Sequence, residues 1–273
     1  MMQRIVTGLG LVALVAVLLY FGGAVMGFAA LVCICFAVHE EYGALTLAGH
    51  RPVAWPTWTG MILALPLTMA CGTKVIWPLM MAVCIVTMAC VLFRGQPRLE
   101  DALMSMLPLL TVVLPGMCII AVAMVEPKEL QVVLLCLLFA VPVLCDTLAL
   151  FVGKAVGGPK FCPAVSPNKT IAGAISGMVG AVLAAILTGV VAAIAVNNPA
   201  AEALLPRWWQ YLLIGILGGA ASQLGDLFAS QVKRHCGVKD FSNLFPGHGG
   251  MLDRMDSILF MAVVVFSFLL LRA

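Results

Sequence analysis

Long apolar runs, interrupted by short polar segments, make up most of this chain. A helix that crosses a bilayer needs about 20 mainly apolar residues. The runs predict transmembrane helices over 4–20, 22–38, 55–72, 75–93, 102–125, 130–153, 171–196, 208–229 and 256–272. Only Gly22 and Gly23 separate the first two runs. The pattern therefore predicts an all-α, polytopic membrane protein with about nine transmembrane helices.

Composition supports the same class of protein. Hydrophobic residues make up 63% of the 273 residues, charged residues make up 10%, and the mean hydropathy is +1.13. Soluble proteins carry about 25% charged residues. The first apolar stretch is too long for a signal peptide, so we expect it to be retained. The cysteines lie mostly inside apolar runs and form no C-x-x-C pair, which argues against a zinc or disulfide framework.

Charge placement predicts an orientation. We divide the chain into N-terminal transmembrane helices, 1–125, and a C-terminal transmembrane region with the polar loops, 126–273. With nine helices, eleven of the 15 Lys and Arg residues fall on the side of the N-terminus. That side should be cytoplasmic by the positive-inside rule. The polar loops 154–170 and 230–255 lie on this side, so we expect both to face the cytoplasm from the inner membrane.

Polar residues concentrate between Asp226 and Ser257, where acids alternate with Lys and Arg and a G-H-G-G segment interrupts them. Polar groups this dense beside membrane helices usually mark a functional site. The mixture suits a metal-bound polyphosphate better than a structural ion pair. The candidate catalytic residues are Asp226, Ser230, Lys233, Arg234, Lys239, Asp240, His248, Asp253, Arg254 and Asp256.

Helical spacing places several of these residues on shared faces. Asp226 and Lys233 share a face at the end of the eighth predicted helix, and Asp253 and Asp256 share one at the start of the ninth. Carboxylates from two helix ends suit Mg²⁺, which takes one or two carboxylates together with substrate phosphates. The alternative is that these acids only form structural ion pairs with neighbouring bases.

A second group of polar residues lies upstream. Asp146 sits near the end of an apolar run, and intramembrane acids are functional candidates. Ser166 or Thr170 could cap the seventh predicted helix, whose N-terminus favours anions. Lys169 could hold a phosphate there. The simpler alternative is a helix cap beside an interfacial lysine.

One further polar segment, H-E-E-Y from His39 to Tyr42, follows the second predicted helix. We expect it to anchor that helix at the membrane interface.

The two polar regions resemble the signature of phosphatidate cytidylyltransferases, also called CDP-diacylglycerol synthases. The family pattern S-x-x-K-R-x4-K-D-x4-(apolar)-P-G-H-G-G-x-x-D-R-x-D-S is matched without departure from Ser230 to Ser257. Upstream, Asp146 opens a D-T-x-A element and Ser166 opens an S-P-x-K-T element. Leu150 replaces the usual aromatic residue of the first element. Ala172 stands where the family usually has Glu, which puts the role of that carboxylate in doubt.

The resemblance implies that CTP and phosphatidic acid react to give CDP-diacylglycerol and pyrophosphate, with Mg²⁺ as cofactor. It implies that Asp226, Asp253 and Asp256 serve the metal, while the basic residues hold phosphates. Substrate-binding roles are implied for Asp146, Ser166, Lys169, Thr170, Gly247, Gly249 and Gly250. The expected partners are the two substrates and membrane lipids, not nucleic acid, and a homodimer is one option for assembly. The host looks bacterial.

Three alternatives stay open. One is a related CTP-dependent lipid enzyme, such as a polyprenol or phytol kinase or an archaeal-type lipid cytidylyltransferase. Another is a catalytically inactive relative, for which Ala172 is the hint. The third is a cation-coupled transporter that uses Asp146, Asp226 and Asp256. A transporter would place its acids near the bilayer midplane in broken helices, whereas most charge here lies in loops.

Overall fold

The computed structural model describes residues 2–245, 247 and 249–272, and over these residues the chain is almost entirely helical. The helices are α1 Met2–Phe21, α2 Gly23–Leu47, α3 Trp55–Cys71, α4 Ile76–Leu92, α5 Leu99–Pro108, α6 Leu114–Ala123, α7 Lys128–Val156, α8 Ile171–Ala195, α9 Pro199–Glu202, α10 Trp208–His235 and α11 Leu252–Arg272. A 3₁₀ turn, Thr73–Val75, precedes α4, and a π-helical turn, Leu109–Val113, joins α5 to α6. Two short strands, β1 Lys160–Cys162 and β2 Ser166–Thr170, complete the chain.

Each of the nine predicted segments is helical in the structure. In the described part of the chain, six helices are long and apolar enough to cross a membrane, with α5 and α6 forming one continuous helix. These six are Gly23–Leu47, Leu99–Ala123, Lys128–Val156, Ile171–Ala195, Trp208–His235 and Leu252–Arg272. The all-α, polytopic membrane fold is therefore confirmed, whereas the count of nine membrane-spanning helices is not.

Two helices extend well past their predicted ends. α2 continues to Leu47 rather than ending at 38, and α10 continues to His235 rather than ending at 229. The added turns bury Leu45 and Val232, so protein rather than lipid covers them. Hydropathy underestimates the length of such helices, because a helical turn that packs against protein can carry polar residues on its other side.

The C-terminal helices form a closely packed group. α7 packs along α8, α8 packs against α10, and α10 packs against α11. A Cβ atom on Gly225 would lie 2.5 Å from the backbone oxygen of Asp256, so α10 and α11 approach very closely beside both candidate acids. α6, almost wholly buried, contacts both α2 and α11. The division at residues 125 and 126 stays a prediction.

A hairpin that hydropathy did not predict occupies the loop between α7 and α8. β1 and β2 pair in antiparallel register, with Lys160 opposite Thr170 and Cys162 opposite Ser166. β2 contacts α7, α8 and α10. The hairpin thus carries the S-P-N-K-T motif back onto the helices that bear the acids.

Candidate active site

An ion pair joins the two signature regions. The ammonium group of Lys169, on β2, contacts the carboxylate of Asp226, on α10. The two side chains are 31% and 26% exposed, so a ligand can reach both. The alternative predicted from the sequence is a pairing of Asp226 with bases on its own helix or on α11. The structure pairs it with the other loop instead.

Two further carboxylates lie near this ion pair. Asp146, on α7, accepts a hydrogen bond from the hydroxyl of Ser257 at 3.2 Å. Asp256 accepts one from the backbone N–H of Ser257 at 2.7 Å. The carboxylates of Asp146, Asp226 and Asp256 lie close enough to interact electrostatically, with Lys169 acting on Asp146 as a counter-ion. Among the described residues, only Asp226 of these three acids has a direct ion-pair partner, while Lys233 and Arg254 act on Asp256 and Asp146 electrostatically.

Asp253 has a different environment. One carboxylate oxygen accepts a hydrogen bond from the ammonium of Lys233 at 2.6 Å. The other accepts hydrogen bonds from the backbone N–H groups of Phe241 and Gly250, both at 2.9 Å. The Asp253 side chain is only 3% exposed. It thus links α10, α11 and the loop between them, residues 236–251, which we call the signature loop.

The signature loop turns tightly at its glycines. Gly247 and Gly249 have positive φ angles of 78° and 84°. Glycine adopts such angles readily, as the turn-rich sequence of this loop predicts. Phe245 donates a backbone hydrogen bond to Gly249 at 2.9 Å. The candidate His248 lies outside the described residues.

Burial, assisted by the charge of Glu41, raises the pKa of the Cys236 thiol, so this cysteine stays protonated.

The other candidate side chains are more exposed than Asp253. The exposed ones are Arg234, Lys239, Asp240 and Arg254, while Ser230 and Ser166 are half-buried. Arg254 acts electrostatically on Asp146. The predicted roles of the basic residues in holding phosphates stay predictions.

The upstream motif begins α8 as its sequence indicates. Thr170 is the N-cap, and its hydroxyl oxygen accepts a hydrogen bond from the backbone N–H of Gly173 at 3.1 Å. Ala172 lies within the first turn, so the carboxylate usual in the family is missing beside this cap.

Two acids that the sequence analysis assigned to the membrane interface belong to the site. Glu40 and Glu41 are 7% and 2% exposed, so the prediction of interfacial anchoring is wrong for them. The Glu41 carboxylate accepts hydrogen bonds from the hydroxyl of Thr111, at 2.9 and 3.1 Å. Thr111 lies in the π-helical turn, a feature frequent at functional sites. Glu41 and Asp256 line the same small cavity.

An apolar groove opens beside the ion pair, between α8 and α10. Its volume is about 370 Å³. Its lining residues are Phe161, Ile171, Ala174, Ile175, Met178, Ala220, Gln223, Leu224 and Leu227. The groove starts next to the site because Ile171 follows the Thr170 cap and Leu227 follows Asp226.

The donor set can be compared with the needs of Mg²⁺. Among the described residues, no three His, Cys, Asp or Glu side chains form a ready-made metal site. Mg²⁺ does not require one, since it binds through one or two carboxylates, waters and substrate phosphates. Asp226, with Asp146 and Asp256 nearby, fits that pattern. The oxygens of Asp253 are engaged by protein donors, and its role as a ligand stays a prediction.

Fold and site together define a class: a polytopic membrane protein whose acids and bases meet at helix ends in a site suited to phosphates. Comparison with known proteins gives the family. The cytidylyltransferase family model matches residues 2–272, and the chain belongs to this family.

Relatives named phosphatidate cytidylyltransferase confirm the resemblance seen in the motifs. The protein of Brucella suis biovar 1 (strain 1330) is 42% identical over 131 residues, 48% of this chain and 44% of the relative. That of Bacillus subtilis (strain 168) is 42% identical over 127 residues, 46% of this chain and 42% of the relative. That of Staphylococcus saprophyticus is 40% identical over 122 residues, 45% of this chain and 43% of the relative. In each case the chain covers less than half the length of the relative.

Proposed function

We propose that this protein transfers the cytidylyl group of CTP to phosphatidic acid, giving CDP-diacylglycerol and pyrophosphate. The observation that carries the proposal is the contact between Lys169 and Asp226, because it unites both signature motifs in one charged, accessible site. The names of the relatives support the same reaction.

The reaction needs charge neutralisation and alignment more than acid–base chemistry. A phosphate oxygen of the lipid attacks the α-phosphorus of CTP, and the bond to the pyrophosphate oxygen breaks with its electrons leaving on pyrophosphate. The attacking phosphate is already ionised at neutral pH, so no base is required. Lys169 and Lys233 would hold phosphate oxygens from two sides, assisted by the exposed Arg234, Lys239 and Arg254.

We assign Mg²⁺ to the acids around the ion pair. Asp226 would hold the ion, with Asp146 and Asp256 as further ligands or supports. When bound, Mg²⁺ supplies positive charge to the triphosphate oxygens. Lys169, the present counter-ion of Asp226, would then be released toward a substrate phosphate. Asp253 would keep Lys233 and the signature loop in place.

The apolar groove between α8 and α10 is the proposed path of a lipid tail. It runs from the ion pair along two membrane-facing helices, and small residues, Ala174 and Ala220, form part of it. A lipid phosphate at Lys169 would thus have its acyl chain alongside Ile175 and Leu224.

Filling the groove should discriminate between lipids. We expect Ala220→Phe to lower kcat/KM about tenfold or more for long-chain phosphatidic acid, because the ring displaces chain methylenes. With dihexanoyl phosphatidic acid, whose chains are short, the variant should have the same kcat/KM as wild type. Val191→Phe, at an exposed position near the other end of α8, is the control. Equal losses with both lipids would argue against the groove.

The proposed setting is the bacterial inner membrane, with both polar loops cytoplasmic. The ion pair between Lys169, in the first loop, and Asp226, on α10 a few residues before the second loop, supports the location of both loops on one side. CTP, phosphatidic acid and membrane lipids are the proposed partners, and a homodimer stays one option for assembly.

Pyrophosphate release by purified protein in detergent tests the reaction. We expect turnover only when CTP, phosphatidic acid and Mg²⁺ are all present, and loss of turnover to background when EDTA is added. Phosphates of polyprenol, phytol and archaeal-type lipids should be tested in parallel. Turnover with one of these and not with phosphatidic acid would assign a related lipid enzyme. No turnover with any lipid by folded protein would indicate an inactive relative.

A further inference from the structure

Glu40 connects α2 to the start of α11, although the two are far apart in sequence. Its carboxylate accepts a hydrogen bond from the hydroxyl of Ser242 at 2.6 Å. It also accepts hydrogen bonds from the backbone N–H groups of Met251 at 2.9 Å and Leu252 at 2.8 Å. One buried carboxylate thus holds together α2, the signature loop and α11.

These contacts fix the point at which α11 begins. The first N–H groups of a helix have no partner within it, and Met251 and Leu252 supply two such donors. A carboxylate at this position is favoured by the helix dipole and forms charge-assisted hydrogen bonds. Since burial of a carboxylate is costly without such partners, the three donors also account for the burial of Glu40.

The same carboxylate packs directly on the backbone of the signature loop. A Cβ atom on Gly250 would lie 2.5 Å from a carboxylate oxygen of Glu40, so a larger residue there would displace this carboxylate. The N–H of Gly250 also donates to Asp253 at 2.9 Å. Glu40 and Asp253 therefore fix the same short stretch of backbone.

We propose that Glu40 is a positioning residue for the transfer reaction: it sets the start of α11 so that Asp253 meets Lys233 and Asp256 lies beside Asp226. Its catalytic consequence rests on the proposed function. Glu40 contacts protein groups at the signature loop, away from the apolar groove. Its loss should therefore slow the chemical step without weakening lipid binding.

The first test is Glu40→Gln, which keeps the shape but replaces one acceptor oxygen with an NH₂ group that faces N–H donors. We expect kcat to fall at least tenfold, with the KM for phosphatidic acid unchanged within twofold. Glu40→Asp, which keeps the charge, should recover part of the lost kcat. Hydrogen exchange of the Met251 and Leu252 amides, measured without substrates, should accelerate in Glu40→Gln and not in the control Glu100→Gln, whose side chain is exposed.

A milder variant covers the case in which Glu40→Gln does not fold. Ser242→Ala removes one of the three donors, and we expect about a threefold lower kcat with an unchanged melting temperature. If the Glu40→Gln protein folds and has the kcat of wild type, the proposal is overturned. If only Ser242→Ala folds, a wild-type kcat in that variant overturns it. So would a loss of rate fully explained by a smaller folded fraction. An inactive wild type would instead contradict the proposed function.

Discussion

The Asp226→Asn variant should turn over CTP and phosphatidic acid at least about 100-fold more slowly than wild type. Even the loss of a residue that supports a metal ligand indirectly lowers metal affinity or activity about 10- to 100-fold. Asp226 is the acid that pairs with Lys169 and interacts with both Asp146 and Asp256. An amide of the same shape removes its charge, which is what attracts a cation. It also removes the carboxylate that Lys169 contacts directly.

Stability should change little in this variant. The Lys169 and Asp226 side chains are partly exposed, and such ion pairs contribute at most about 1 kcal/mol to the free energy of unfolding. Pyrophosphate release should therefore be measured together with thermal unfolding in the same detergent. A titration with Mn²⁺, followed by its paramagnetic signal, should show weaker metal binding.

Glu202→Gln is the matched control. Like Asp226→Asn it replaces one carboxylate with an amide, but at an exposed position on α9. It should turn over like wild type. If Asp226→Asn retained more than about a tenth of wild-type turnover with unchanged Mn²⁺ binding, the assignment of the metal to Asp226 would be wrong.

The helices were predictable because the bilayer imposes a simple rule. Because backbone groups in lipid must be paired within the segment, a long apolar run predicts a helix. The rule does not give the ends of a helix where the helix is surrounded by protein rather than by lipid. α2 and α10 extend past their predicted ends because buried residues such as Leu45 and Val232 pack against the rest of the chain.

The residues of the site were predictable by type, but their pairing was not. Local spacing indicated that Asp226 and Lys233 share a helix face, and it suggested that acids on one helix pair with bases nearby. The actual partners, Lys169 for Asp226 and Asp253 for Lys233, come from other elements. Such contacts depend on how helices pack, and one sequence does not contain that information locally.

Glu40 and Glu41 show what a single segment can hide. An acid at the end of an apolar run reads as an interfacial residue when its neighbours in space are unknown. A usable signal was nonetheless present: two adjacent acids continue a hydrophobic helix, and acids inside membrane helices are functional candidates.

Asp253→Asn should affect stability as well as activity, unlike Asp226→Asn. Asp253 is almost fully buried and accepts hydrogen bonds from Lys233, Phe241 and Gly250. Removal of one partner from a buried ion pair costs about 3 kcal/mol, because the remaining charge stays unpaired. Since the signature loop would then shift, we also expect about 100-fold lower turnover.

A double-mutant cycle with Lys233→Met separates the two roles open to Asp253. If it anchors the loop by pairing with Lys233, the double variant should regain part of the stability lost in Asp253→Asn, because no unpaired charge remains. Unfolding by SDS titration in mixed micelles gives the free energies. Asp240→Asn, an exposed acid of the same loop, should leave that free energy unchanged. Loss of turnover in Asp253→Asn with wild-type stability would instead identify Asp253 as a metal ligand, as the motif resemblance implies.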